Sequence, residues 1–126
     1  MAELTEEPTI NAALPRTPAA GALARGLVSH HFATRLASEP LLRARLVASE
    51  LVNNAYQHGR GQIRLKVRRL SDRLRIEVVD EGSGASVSIN EQPSYGGGRG
   101  LRIVDAVSLQ WGAYEGTTHV WVELAV

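Results

Sequence analysis

The chain contains no cysteine. That single absence excludes a disulfide framework and a thiolate metal centre, and it fits a reducing cytoplasm as the expected location. An excess of either charge is missing too. Fourteen Lys and Arg against 13 Asp and Glu leave a formal net charge of +1, so no global field favours nucleic acid or a bilayer surface. Lysine itself is nearly absent: Lys66 is the only one among the 14 basic residues, a bias we read as genome composition and not as guanidinium chemistry. No apolar run approaches the roughly 20 residues that span a bilayer. The first residues carry Glu3, Glu6 and Glu7 and lack the basic start and apolar core of a signal peptide. What is present is 126 residues, 44% hydrophobic, a size that suits one domain with one core.

Periodicity divides the chain. Residues 1–14 read as a mobile N-terminal arm with a short strand at 9–14, punctuated by Pro15 and Pro18, and residues 15–126 as a single domain. From Pro18 to about Leu36, helical spacing relates Ala22, Leu23, Leu27, Val28, Phe32 and Leu36. Ser38-Glu39-Pro40 is a restart signal, because serine can cap and proline fits the first turn. A second helix is expected from Pro40 to about His58, closed by Gly59 in a left-handed cap conformation. The period then changes to two. Ile63, Leu65 and Val67 alternate with polar residues, as do Leu74, Ile76 and Val78, and Ser71-Asp72 between them predicts an antiparallel hairpin. Residues 81–98 show no period and read as one long loop, a length that is either functional or disordered in a compact domain. A short helix over 99–108 and strands over 109–114 and 119–126, turning at Glu115-Gly116, complete the chain without internal repeats.

Three segments carry chemistry. On the second helix, Glu50, Asn54 and His58 share one face, because residues four apart are neighbours. The adjoining stripe of Val47, Leu51 and Ala55 is apolar and should face the core. Taken alone, the polar stripe reads as the solvated edge of an amphipathic helix, but the glycine segments downstream reverse that preference. Asn54 offers the kind of oxygen that magnesium accepts while it bridges phosphates, and a carboxylate one turn earlier can orient or deprotonate an attacking hydroxyl. Asp80 ends the apolar run Ile76–Val79 and precedes Gly82 and Gly84, whose missing side chains permit close approach to a ring. In isolation this is an ordinary turn after a strand. Gly96-Gly97-Gly98-Arg99-Gly100 opens into a helix and reads as a phosphate cradle built from free N–H groups, in preference to a flexible linker. Arg99 is open to two roles, phosphate contact or exposed surface. His30 and His31, adjacent on a helix, point about 100° apart, a poor metal geometry. Arg43 and Arg45 read as solvent-facing, and Trp111 and Trp121 as core or sheet-face residues.

In their order and spacing, Glu50-Leu51-Val52-Asn53-Asn54, Asp80-Glu81-Gly82-Ser83-Gly84 and Gly98-Arg99-Gly100-Leu101 resemble the Bergerat-fold, or histidine-kinase-like, ATPases. The likeness is nearest to the single-domain anti-sigma-factor serine/threonine kinases and runs from about Pro15 to the C-terminus. It implies an α/β sandwich of the α+β kind: an antiparallel or mixed sheet, three helices on one face, and an ATP lid over 81–98. It implies ATP and Mg2+ as cofactors, with Glu50 as general base, Asn54 as magnesium ligand and Asp80 as the acid that reads adenine. Gly82 and Gly84 would line the base, and Gly98, Arg99, Gly100 and Leu101 the phosphates. His58 matches the family's His-Gly helix ending, where phosphate contact and helix capping both remain open. Asn53 stands where threonine is frequent. The chain departs from the family's Gly-Lys-Thr-Val-Trp at Gly116-Thr117-Thr118-His119-Val120-Trp121. There Thr118 or Thr117 takes over support of the adenine site with a one-residue shift, or the contact is lost. The implied activity is phosphorylation of a serine on an anti-anti-sigma protein by a kinase that also binds a sigma factor, with no direct nucleic-acid or membrane contact and with homodimer formation plausible. The alternative is a non-catalytic ATP-gated binding module. A histidine kinase catalytic domain fits less well, since no helical hairpin with a phosphoacceptor histidine is present.

Overall fold

In the computed structural model, residues 9–82, 104, 107–113 and 119–126 are described. They form β1 (Ile10–Leu14), α1 (Ala20–Phe32), α2 (Ser38–His58), β2 (Ile63–Arg69), β3 (Arg73–Val79), β4 (Gln110–Ala113) and β5 (Val120–Ala125). The sheet order is β1-β2-β3-β5-β4 and every pairing is antiparallel, which decides between the antiparallel and mixed sheets that the resemblance left open.

Alternation builds the sheet. Across the β2–β3 hairpin Leu65 faces Val78 and Val67 faces Ile76, and across β3–β5 Ile76 faces Val122. All of these lie on one face, at most 1% exposed. The helices cover that face. Val47, Leu51 and Ala55 of α2 are buried as expected and join Ile63, Leu65, Ile76 and Leu124 in a single core. Val104 and Val107 are helical, and Val104 is fully buried in the same core. The rest of the expected helix over 99–108 and the lid over 81–98 fall mainly outside the described residues, so two of the three expected helices are seen.

Four expectations change. The stretch 10–14 forms the short strand expected at 9–14, but as part of the sheet and not of a mobile arm. It pairs with β2 from Ile10↔Val67 to Leu14↔Ile63, and burial of Ile10 and Leu14 holds it there. On α1 the buried stripe is Ala20, Gly21, Ala24, Val28 and Phe32, while Ala22 and Leu23 are exposed. Small residues on the inner face let α1 approach α2 closely, and Leu23 instead lines a groove with Ala12, Leu14 and Gly26. Ser38 does not cap α2. Ala37, extended at ψ 165°, is the cap, and Ser38 is already helical. Gly59 is not left-handed: its φ of −95° and ψ of −164° are extended, and the positive φ belongs to Gly61 at 68°.

The opposite face of the sheet is polar and lies outside the helix layer. Glu123, 7% exposed, accepts hydrogen bonds from Arg73 at 2.8 Å, Arg75 at 2.9 Å and Gln110 at 3.0 Å. Burial alone would raise its carboxyl pKa; the hydrogen bonds from Arg73, Gln110 and Arg75 outweigh that and hold it below the ordinary value. The Arg75 guanidinium also stacks 4.3 Å from the ring centre of Trp121, so both tryptophans have structural surroundings: Trp121 on this face, Trp111 against the core.

Candidate functional site

The α2 helix positions the first group. Its core stripe fixes the rotation of the helix, and that rotation sets Glu50, Asn54 and His58 on the neighbouring strip. Their exposure falls into three grades: Asn54 is buried at 7%, Glu50 is half-buried and His58 is exposed. Among the described residues no hydrogen bond to the Asn54 carboxamide is seen, so its oxygen is a candidate donor for a ligand. Burial raises the Glu50 carboxyl pKa, and the positive charge of Arg25 on α1 lowers it to a smaller extent. A carboxylate displaced upward in this way is a better proton acceptor than a solvated one. Asn53 packs against α1, where a Cβ on Gly21 would come within 2.6 Å of its Oδ1.

The end of β3 positions the second group. Asp80 Oδ1 accepts the Gly82 N–H at 2.7 Å, which turns the chain sharply after the strand. The same carboxylate fills the space beside Gly59, where any Cβ would overlap it. The Glu81 N–H donates to the Arg60 carbonyl at 2.8 Å, and a Cβ on Gly61 would overlap the Glu81 side chain. The end of α2 and the end of β3 are thus locked together, and Asp80 sits at the C-terminal end of the helix that carries Glu50 and Asn54. The backbone approaches the acid closely on both sides, because the residues flanking it, Gly59 and Gly82, have no side chains.

Two features of this site were missed in the sequence. Gly59 ends α2 as expected, but it also leaves room for the Asp80 carboxylate, which the sequence does not announce. Arg16 was not singled out at all. Its Nη1 donates to the carbonyls of Ala55 at 3.0 Å and Tyr56 at 2.8 Å, and its Nε to the carbonyl of Gly61 at 2.8 Å. Those acceptors are backbone atoms 39 to 45 positions away, so no motif could have announced them. The pairing of Gly59 with Gly61 just past a helix end was the one legible signal.

Gly84, Gly98, Arg99, Gly100, Leu101 and Thr118 lie outside the described residues. His119 is half-buried, with its Nε2 3.6 Å from Glu77 Oε2. Burial lowers its pKa, with Glu77 opposing that effect and Lys66 adding to it, so the neutral imidazole is favoured beside Glu77. Among the described residues no group of three or more His, Asp or Glu side chains could hold a metal, and His30 and His31 meet only edge to face, 5.1 Å between ring centres. No described helix is long and apolar enough to cross a membrane.

No curated protein matches the chain. A family model does: the histidine kinase-like ATPase domain matches residues 14–123. The match takes in both halves of the site, most of the antiparallel sheet and the helices above it, and ATP binding follows from it. The chain belongs to the histidine kinase-like ATPase domain family.

Proposed function

We propose that this ATP-binding domain is a serine/threonine protein kinase of the anti-sigma type, which binds a sigma factor and phosphorylates a serine on an anti-anti-sigma protein. The observation that carries the reading is the single strip of α2 on which a desolvated carboxylate, Glu50, precedes a largely buried carboxamide, Asn54, by one turn, with Asp80 at the end of the same helix. Asp80 accepts the exocyclic amino group of adenine. Asn54 would hold magnesium, which would offset the charge of the phosphates. Glu50 takes the proton of the incoming serine hydroxyl as the serine oxygen bonds to the γ-phosphorus and the bond to ADP breaks.

Single-turnover transfer to a purified anti-anti-sigma protein, paired with ATP titration at varied magnesium, tests the reading. Glu50→Ala should bind magnesium and ATP normally while transfer falls by about 10²–10⁴-fold. Asn54→Ala should lose both magnesium-dependent affinity and transfer. Wild-type transfer rates in Glu50→Ala would remove its catalytic role. If the wild type binds a sigma factor in an ATP-dependent way yet phosphorylates nothing, the non-catalytic ATP-gated module replaces the kinase.

A further inference from the structure

We infer that Arg16 is a positioning residue that sets the preference for adenine, acting through the Gly59–Gly61 segment on Asp80. The inference rests on the adenine-reading role proposed for Asp80. One guanidinium joins three pieces of chain. It comes from the connection between β1 and α1, it satisfies carbonyls in the last turn of α2, and it grips Gly61 beyond the helix end. A cation there also complements the negative end of the α2 dipole.

The consequence for Asp80 follows from contacts and not from charge. The segment Arg16 grips is the one that abuts the acid. Gly59 lies against the Asp80 carboxylate so closely that no Cβ fits, and the Arg60 carbonyl receives the Glu81 N–H. Gly59 and Gly61 have no side chains to anchor this segment, which is otherwise held by two backbone bonds, Gly59 N–H to the Ala55 carbonyl and Glu81 N–H to the Arg60 carbonyl, and Gly61 is exposed with a φ of 68°. Release of Arg16 therefore loosens one wall of the acid's cradle while leaving the Gly82 N–H bond to the acid in place. Lysine cannot substitute. A single ammonium on a flexible stem can reach one carbonyl, but it has no planar fork to span the helix end and Gly61 together.

The experiment compares wild type, Arg16→Ala, Arg16→Lys, Asp80→Asn and Arg64→Ala. Arg64 is a control arginine whose bond is to Asn11 on the outer sheet face. ATP and GTP affinities are measured by calorimetry on chains shown to be folded by thermal unfolding, and amide exchange of Gly59 and Glu81 is followed without nucleotide. Arg16→Ala should bind ATP about tenfold more weakly with GTP little changed, so that selectivity collapses toward that of Asp80→Asn. Exchange at Gly59 and Glu81 should rise in both Arg16 variants and stay unchanged in Arg64→Ala. The inference is overturned if Arg16→Ala keeps the wild-type ATP-over-GTP ratio while Asp80→Asn loses it. It is equally overturned if Arg16→Lys restores that ratio in full, since charge alone would then suffice. A wild type that binds ATP and GTP alike removes Asp80 as adenine reader, and the role of Arg16 in selectivity falls with it.

Discussion

At the scale of single residues, the site puts a carboxylate where a carboxylate is uncomfortable. Glu50 is desolvated, and its acid form is favoured in the folded chain relative to the ordinary value of 4.5. The folded chain therefore binds more protons than the unfolded chain in the window above 4.5, and stability falls as pH rises through that window. Glu50→Gln removes the penalty. The variant should gain stability relative to wild type as pH rises from about 4 to about 7, while phosphoryl transfer is lost. Urea unfolding across that range checks it, and a stability difference independent of pH would mean that Glu50 is no more desolvated than a surface acid. The spacing of Glu50 and Asn54 was legible in the sequence because a helix has a fixed period. Their different burial was not, because exposure depends on how closely α1 approaches, and that is decided by Gly21, Ala24 and Val28.

At the scale of elements, the junction between α2 and β3 is the feature that a motif does not describe. Gly59 ends the helix in an extended conformation open to any residue, so the need for glycine there is steric and not conformational. Gly59→Ala should cost about 1–3 kcal/mol, the usual range for overpacking, and should weaken ATP binding by pushing the Asp80 carboxylate out of line. Gly26 on α1 is the matched control, since a Cβ there meets nothing within 4 Å. Gly26→Ala should stabilise the chain by about 0.5–1 kcal/mol, as an exposed helical site predicts. Denaturant unfolding of both variants, with ATP titration, separates the two cases. Equal and small effects at the two positions would show that the junction has room to relax. The same contrast explains why the left-handed cap expected at Gly59 did not appear. A helix-end glycine is the commonest reason for that residue in that place, and only the position of β3 reveals the other reason.

At the scale of the whole molecule, the sheet divides the chemistry. Its inner face carries the core and the site, and its outer face carries a charged network centred on Glu123. The register sets Arg68 opposite Arg75 and Arg75 opposite Glu123, so Glu123 pairs with both Arg73 and Arg75, with Asp72 and Glu77 adding a second carboxylate to each. Replacing Glu123 with Gln should cost about 1–3 kcal/mol by weakening charge-assisted hydrogen bonds to Arg73 and Arg75. Because its folded pKa is depressed, its contribution is present above the ordinary carboxylate value of 4.5 and is lost as pH falls through the lower folded value. Thermal unfolding of Glu123→Gln and wild type should therefore differ at neutral pH and converge in acid. A difference that persists below that range would place the cost in packing and not in charge.

Periodicity by itself determined the hairpin, the two long helices and the closing strands, since each obeys a local rule of spacing that survives without knowledge of partners. The order Glu50–Asn54, Asp80–Gly82 and the glycine run determined the family, because that chemistry needs those residue types in that sequence. Tertiary structure alone decided what burial and distant contact decide. It made β1 an edge strand and not an arm, through Ile10 and Leu14. It turned α1 so that its small residues face inward. It assigned Gly59 to Asp80 and joined Arg16 to the end of α2. Each of these depends on atoms separated by tens of residues, whose proximity no local pattern encodes, and on free-energy terms that exist only once water has been excluded between them.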